Sequence, residues 1–150
     1  MANIVPYAFK GELMSGTHNF SAGGNTFFLA LYTANPYSAA SSTVYVTTNE
    51  VSSAGGSNYT AGGKQLQNQV VDSSTATTTV DFDNLTWGAA TTGAATFGAA
   101  FAAIYNSTNS NKLVVVLDFG GTKTATNGDF TIAFPSTSTP ANAILSLTSS

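Results

Sequence analysis

Cysteine and arginine are both missing from this 150-residue chain, and its only strong cations are four lysines. Without cysteine there can be no disulfide, no thiolate metal ligand and no sulfur nucleophile, and the redox compartment stays open. Charge of either sign is scarce. Seven Asp+Glu bring the charged share to 7% and the formal net charge to −3, where ordinary globular chains carry about 25% charged residues. Four cations cannot neutralise a nucleic-acid backbone or hold a surface to anionic lipid. No nucleic-acid partner and no membrane partner is therefore expected. Long apolar runs are lacking as well, since no stretch approaches the roughly 18 residues of a membrane span. The opening Met1 to Pro6 has no basic region ahead of an apolar core, so no secretion signal is expected.

The space left by charge is filled by 23 Thr, 17 Ser, 13 Asn, 22 Ala and 14 Gly. The hydrophobic share of 43% is ordinary, so the low hydrophobicity and high net charge that mark disorder are both missing. The length suits a single domain over 1–150, burying roughly 70% of its unfolded surface.

One short helix is predicted over 6–15. Pro6 fits a first helical position, Val5, Phe9 and Leu13 recur every four residues, and Gly16 offers a stop. Lys10 and Glu12 fall off that stripe. Beyond Gly16 the period becomes two. Thr26 to Thr33 is apolar on both faces and reads as a central strand, whereas Gln65, Gln67 and Gln69 alternate with Leu66 and Val70 as a half-exposed one. Further strands are read at Thr77–Asp83, Ala99–Tyr105, Lys112–Phe119, Phe130–Phe134 and Ala143–Leu147. The polar run Asn106 to Asn111 makes a hairpin between two of them. The predicted fold is all-β: an antiparallel β-sandwich of about seven or eight strands with one short N-terminal helix. Two segments fall outside the pattern, a Gly/Ala/Thr-rich loop at 88–100 and a Ser/Thr/Pro linker at 136–140.

Chemistry was sought at each titratable cluster. Gly62-Gly63-Lys64 has Asn58 where a phosphate loop needs its first glycine, and Gln65 where it needs Ser or Thr. It reads as a tight turn entering a strand. His18, the only histidine, has no nucleophile elbow to serve and reads as a turn or surface residue. Asp81, Asp83 and Asn84 offer oxygens to a cation but lack the ligand number and glycine bend of a calcium loop. Asp118 and Asp129 sit near strand ends, where carboxylates accept backbone hydrogen bonds. The reading is of a non-enzyme with no catalytic residues, no cofactor and no metal.

Scarce charge is also what interface cores show, so the chain reads as a subunit whose surface is largely buried in a larger assembly. Tyr7, Tyr37, Phe97 and Phe101 are the candidate assembly contacts, with the N-terminal segment and the 88–101 stretch as the contact elements. Tyr32, Tyr37, Tyr45 and Tyr59, in or near turn-rich segments, could equally anchor their own loops in the core.

A series of strings runs in order along most of the chain. They are Tyr7-Ala-Phe-Lys-Gly-Glu-Leu-Met-Ser-Gly16, Thr26-Phe-Phe-Leu-Ala-Leu-Tyr-Thr33, Thr48-Asn-Glu-Val51, Tyr59-Thr-Ala-Gly-Gly-Lys-Gln-Leu66, Leu85-Thr-Trp87, Leu117-Asp-Phe-Gly120 and Gly128-Asp-Phe-Thr-Ile132. This series resembles the small virion structural proteins of tailed bacteriophages, of the capsid decoration or cement kind. The resemblance implies a virion component with no catalytic residues to carry over. Its expected place is the outer capsid surface, bridging and stabilising major capsid protein subunits as a homo-oligomer, with a trimer the first choice. The alternative is a tail, fibre or baseplate component that binds a host glycan.

Overall fold

The structure is a computed structural model and describes residues 2–135 and 143–148. It is all-β with one short helix. The helix α1 spans Tyr7–Met14, with Pro6 as its N-cap at an extended ψ of 146° rather than as the first helical residue. Gly16 ends it as expected. At φ +75° it lets Gly16 N donate to Leu13 O and Thr17 N donate to Glu12 O, the paired closing bonds of a left-handed glycine cap.

Nine strands follow among the described residues: β1 (Phe27–Tyr32), β2 (Lys64–Gln65), β3 (Val70–Asp72), β4 (Thr77–Asp81), β5 (Leu85–Trp87), β6 (Ala95–Asn106), β7 (Lys112–Gly128), β8 (Phe130–Ile132) and β9 (Leu145–Thr148). They form three antiparallel sheets in the orders β2-β1-β6-β7, β3-β4-β9 and β5-β8. The four-stranded sheet lies between two apolar clusters, a sandwich-like arrangement. On one face Leu29 and Leu31 join Trp87, Phe97, Phe130, Phe82 and the helix residue Phe9. On the other, Ala30 and Tyr32 meet Tyr37, Ala103 and Val116. β1 is thus buried on both faces, as its unbroken apolar run predicts.

Three features depart from the sequence reading. The Gly/Ala/Thr segment is a loop only in its first half, because β6 begins at Ala95. Alanine is a weak strand former, but packing decides: Ala95, Ala99 and Ala102 are fully buried in the cluster that holds the rings of Trp87, Phe97 and Phe130, and Ala103 is fully buried in the opposite one. β7 runs well past Phe119, taking up four residues (119–122) against the single Ala100 of β6. Gly120 and Gly121, both at positive φ, make that bulge possible. The glutamine-alternating strand is broken into β2 and β3, with Asn68 at φ +52° between them. The linker at 136–140 lies outside the described residues, and the last strand starts at Leu145 rather than Ala143.

Trp87 fills the centre of the larger cluster, wholly buried and packed against Tyr59 and edge-on to Phe97 and Phe130. Truncating Trp87→Ala should therefore cost about 3–5 kcal/mol. Denaturant unfolding would show this as a lower midpoint at unchanged slope. A loss under about 1 kcal/mol, the size of an average substitution, would mean the ring is not the centre of the core.

Candidate assembly surface

Two polar networks tie loops onto the central sheet. The first starts on α1, where Glu12 accepts from Lys112 Nζ at the start of β7 and from His18 Nε2 at 3.0 Å. His18 is buried, against the expectation of a turn or surface residue, because its other ring nitrogen is also engaged. Asn106 Nδ2 donates to His18 Nδ1 and to Asn25 Oδ1, while Asn106 Oδ1 accepts from Asn109 N. This fixes the amide's orientation, so Nδ1 accepts and Nε2 carries the proton. Asn25 Oδ1 also receives Asn19 N and Asn109 Nδ2. Helix, loop and hairpin are thereby locked together.

The second network surrounds Glu50. Its carboxylate accepts Tyr45 OH at 2.6 Å, Tyr59 OH at 2.7 Å and Gly62 N at 2.7 Å. Tyr105 OH donates to Gly62 O. Gly63 then passes so close to β1 that a Cβ on it would sit 1.9 Å from Leu29 O. The glycine pair is thus a tight turn entering β2, as read from the sequence. Lys64 is turned away from any phosphate-cradling position: its Nζ donates to Thr86 O and lies over the Trp87 ring.

The carboxylates are all occupied within the chain. Besides Glu12 and Glu50, Asp72 accepts Ser74 N, Asp81 accepts Phe82 N and Asp83 accepts Asn68 Nδ2. Asp118 accepts Gly120 N, and Asp129 accepts Ala89 N. Asn84 Oδ1 is likewise taken by Phe134 N. Among the described residues no three His, Asp or Glu converge as a metal site would require. No helix there is long and apolar enough to cross a membrane.

Of the four candidate contacts, Tyr37 and Phe101 fall in the second cluster, Phe97 in the first and Tyr7 in neither. Tyr7 is 63% exposed at the start of α1, with Lys10 Nζ 5.5 Å from its ring centre. Phe101 is half-buried in the second cluster. Tyr37 and Phe97 are core residues. Tyr37 OH hydrogen-bonds Tyr32 OH and Val46 N, and Phe97 packs on Tyr59 and Phe130. Their rings are used inside the fold, where covering a two-faced sheet needs them, and a partner cannot reach them without rearrangement.

Sequence reasoning missed Met14, Val70, Val71 and Leu147, which are 91%, 49%, 44% and 62% exposed. Met14 and Leu147 flank an apolar groove of about 750 Å³ between α1 and the β4–β9 pair, floored by Phe9, Leu13, Phe20 and Val80. Val70 and Val71 occupy β3, the opposite edge of the same three-stranded sheet. The signal in sequence was weak, since nothing distinguished these side chains from core residues before the edges were known. No protein-family model, no curated protein and no solved structure matches this chain.

Both networks predict a pH response. Burial pushes Glu12 up, but the hydrogen bonds from Lys112 and His18 outweigh it and hold its pKa below the usual value. A depressed carboxylate stabilises the fold fully above its unfolded pKa of about 4.3 and stops doing so as pH falls through the folded value. Thermal melts across that acid range should fall less steeply for Glu12→Gln than for the parent, and equal slopes would leave Glu12 without a stabilising role. The tyrosines behave in the opposite sense. Burial raises Tyr32, Tyr37, Tyr45 and Tyr59, with the Glu50 carboxylate adding to each. Tyr105 is pushed up to about 12. Their neutral forms stabilise the fold below the unfolded value of about 10 and cease to do so above the raised ones. At about pH 11, therefore, these five should ionise only as the circular dichroism of the sheet is lost. Ionisation ahead of that loss would contradict the packing.

Proposed function

We propose that this chain is a structural protein of a tailed-phage virion that decorates the outside of the head. There it bridges and stabilises neighbouring major capsid subunits. The observation that carries the reading is the surface. Apart from Val44, the exposed large apolar side chains fall on α1 and on the two edge strands of the small sheet beside it, within a covering poor in charge and rich in Ser, Thr and Asn. Neutral polar side chains are cheaper to desolvate than charged ones, which suits a subunit closed in on several sides. The ordered strings that resemble those of small virion proteins point the same way. A specific interface buries about 1,600 Å² in total, and several smaller seams per copy, repeated over a shell, reach the same strength by addition. A trimer at three-fold positions is the expected form.

Immunogold labelling of intact virions with an antibody to this chain tests the reading, with mass spectrometry of the same particles covering a hidden epitope. Label over the whole head is expected. Label at the tail or at one vertex overturns decoration in favour of a tail, fibre or baseplate role with a host glycan as ligand. Absence from the particles overturns both. Met14→Asp and Leu147→Asp should each lower the number of copies per head. The isolated chain's stability should change by no more than about 0.5 kcal/mol, as for other surface sites.

A further inference from the structure

We propose that the groove between α1 and the β4–β9 pair binds a free single-chain carboxylate amphiphile, a fatty-acid anion of medium length. The inference goes beyond the virion reading and does not rest on it. At about 750 Å³ the groove falls within the roughly 300–1,000 Å³ of small-molecule sites. Phe9, Leu13, Phe20 and Val80 form its floor. Phe9 and Phe20 belong to the main core and meet edge to face, so the floor is set before anything binds. The lining runs from Val5 to Met14 on the helix side and over residues 143–147 on the strand side. The eight residues of α1 rise about 12 Å, and four steps of extended chain rise about 13 Å. An extended alkyl chain of about twelve carbons, advancing about 1.25 Å per 1.52 Å bond, has that length.

The polar inventory of the groove selects this occupant. Among the described residues its only charged side chain is Lys10 and its only hydroxyls are Thr78 and Ser146, with no carboxylate and no side-chain amide. A sugar, a nucleotide or a peptide segment brings several polar groups, and an apolar floor leaves them buried without partners, which is costly. A ligand with one long apolar body and one charged end brings no such group to the floor. Lys10 sets the sign of that end. Lys112 and Lys64 donate inward, to Glu12 and to Thr86 O, whereas Lys10 is exposed and its Nζ lies 5.5 Å from the Tyr7 ring centre. A lysine stem can run along apolar surface while its ammonium stays at the rim. An ammonium there, with no carboxylate in the lining, complements a single anionic headgroup and disfavours a cationic one. The apolar body of such a ligand also covers Met14 and Leu147, the exposed lips of the groove. Met14 suits that role, because its unbranched thioether adapts to the shape of what it touches.

Calorimetry and NMR on the delipidated full-length chain test the proposal, with dodecanoate below its micelle concentration as the probe. A single saturable site per chain is expected, with chemical-shift changes centred on the methyl groups of Met14, Leu13, Val80 and Leu145. Octanoate, shorter by four methylenes, should bind roughly 100-fold more weakly. Dodecanol, which has the same body without the charge, should bind about 3-fold more weakly, the worth of one exposed ion pair. Lys10→Gln should abolish that preference for the carboxylate and Lys10→Glu should reverse it. Both change an exposed side chain, so the fold is kept. Equal binding of acid and alcohol, or a preference that survives Lys10→Glu, overturns the proposal, since the groove is then an unselective apolar surface. Met14 shifts that follow protein concentration alone, without a response to dodecanoate, assign the groove to a second copy and overturn it too. Flotation with phosphatidylglycerol vesicles in the absence of dodecanoate binding assigns it to a membrane, with the same consequence. These measurements use the isolated chain and the gold labelling uses particles, so either reading can fail while the other stands.

Discussion

A strand pair that is apolar on both faces has to be covered twice, and β1 with β6 imposes that requirement on everything around it. Leu29, Leu31, Ala102 and Ile104 face one cluster, while Ala30, Tyr32, Ala103 and Tyr105 face the other. The two small sheets and α1 cover the first face. No regular element is left for the second, so it is covered by the chain between β1 and β2 and by the segment around Ile4. Irregular backbone laid on an apolar sheet needs partners for its polar groups. This explains why the covering side chains are tyrosines rather than phenylalanines. Tyr32 OH reaches Val46 O, Tyr37 OH accepts from Val46 N, and Tyr105 OH donates to Gly62 O. Glu50 collects the phenols of Tyr45 and Tyr59 and the amide of Gly62 at one point.

The scarcity of charge takes on a sharper meaning once each group is located. All seven carboxylates accept hydrogen bonds from within the chain, and Lys112 and Lys64 donate inward as well. Charge here serves to close turns and loops, which leaves Lys10 and Lys123 as nearly all the cationic surface. Solubility must then rest on hydroxyls and amides, which are weaker at opposing association. A chain built this way tolerates close neighbours of its own kind.

How far the sequence could be read follows from which forces acted locally. The cap at Gly16, the hairpin after Asn106 and the two-faced strand β1 were legible because each depends on a few adjacent residues and their backbone preferences. The strand character of Ala95–Ala100 was not, because alanine and glycine carry little preference of their own and became strand by pairing with residues of β7 some thirty positions away. His18 was misread for a related reason. Its partners Glu12 and Asn106 lie on different elements, and nothing in the spacing announces that helix and hairpin meet there. Tyr37 and Phe97 could have been contact or core by composition. Packing on the two faces of the central sheet, Phe97 in the first cluster and Tyr37 in the second, decided for core.

Edges carry the last step. The large sheet is protected at its open side by two isolated bridges, a bulge and Lys123, and β2 with the Tyr32–Glu50 bridge lies along the other side. The small sheet shows two valines at one edge and a leucine at the other, without a cation on either. Open apolar edges invite uncontrolled strand addition, and the small sheet limits that hazard by the shortness of its edges, three residues in β3 and four in β9, and by Asp72 on β3. β9 itself is held by its ladder to β4 and by the two side chains, Ile144 and Leu145, that pack against the core.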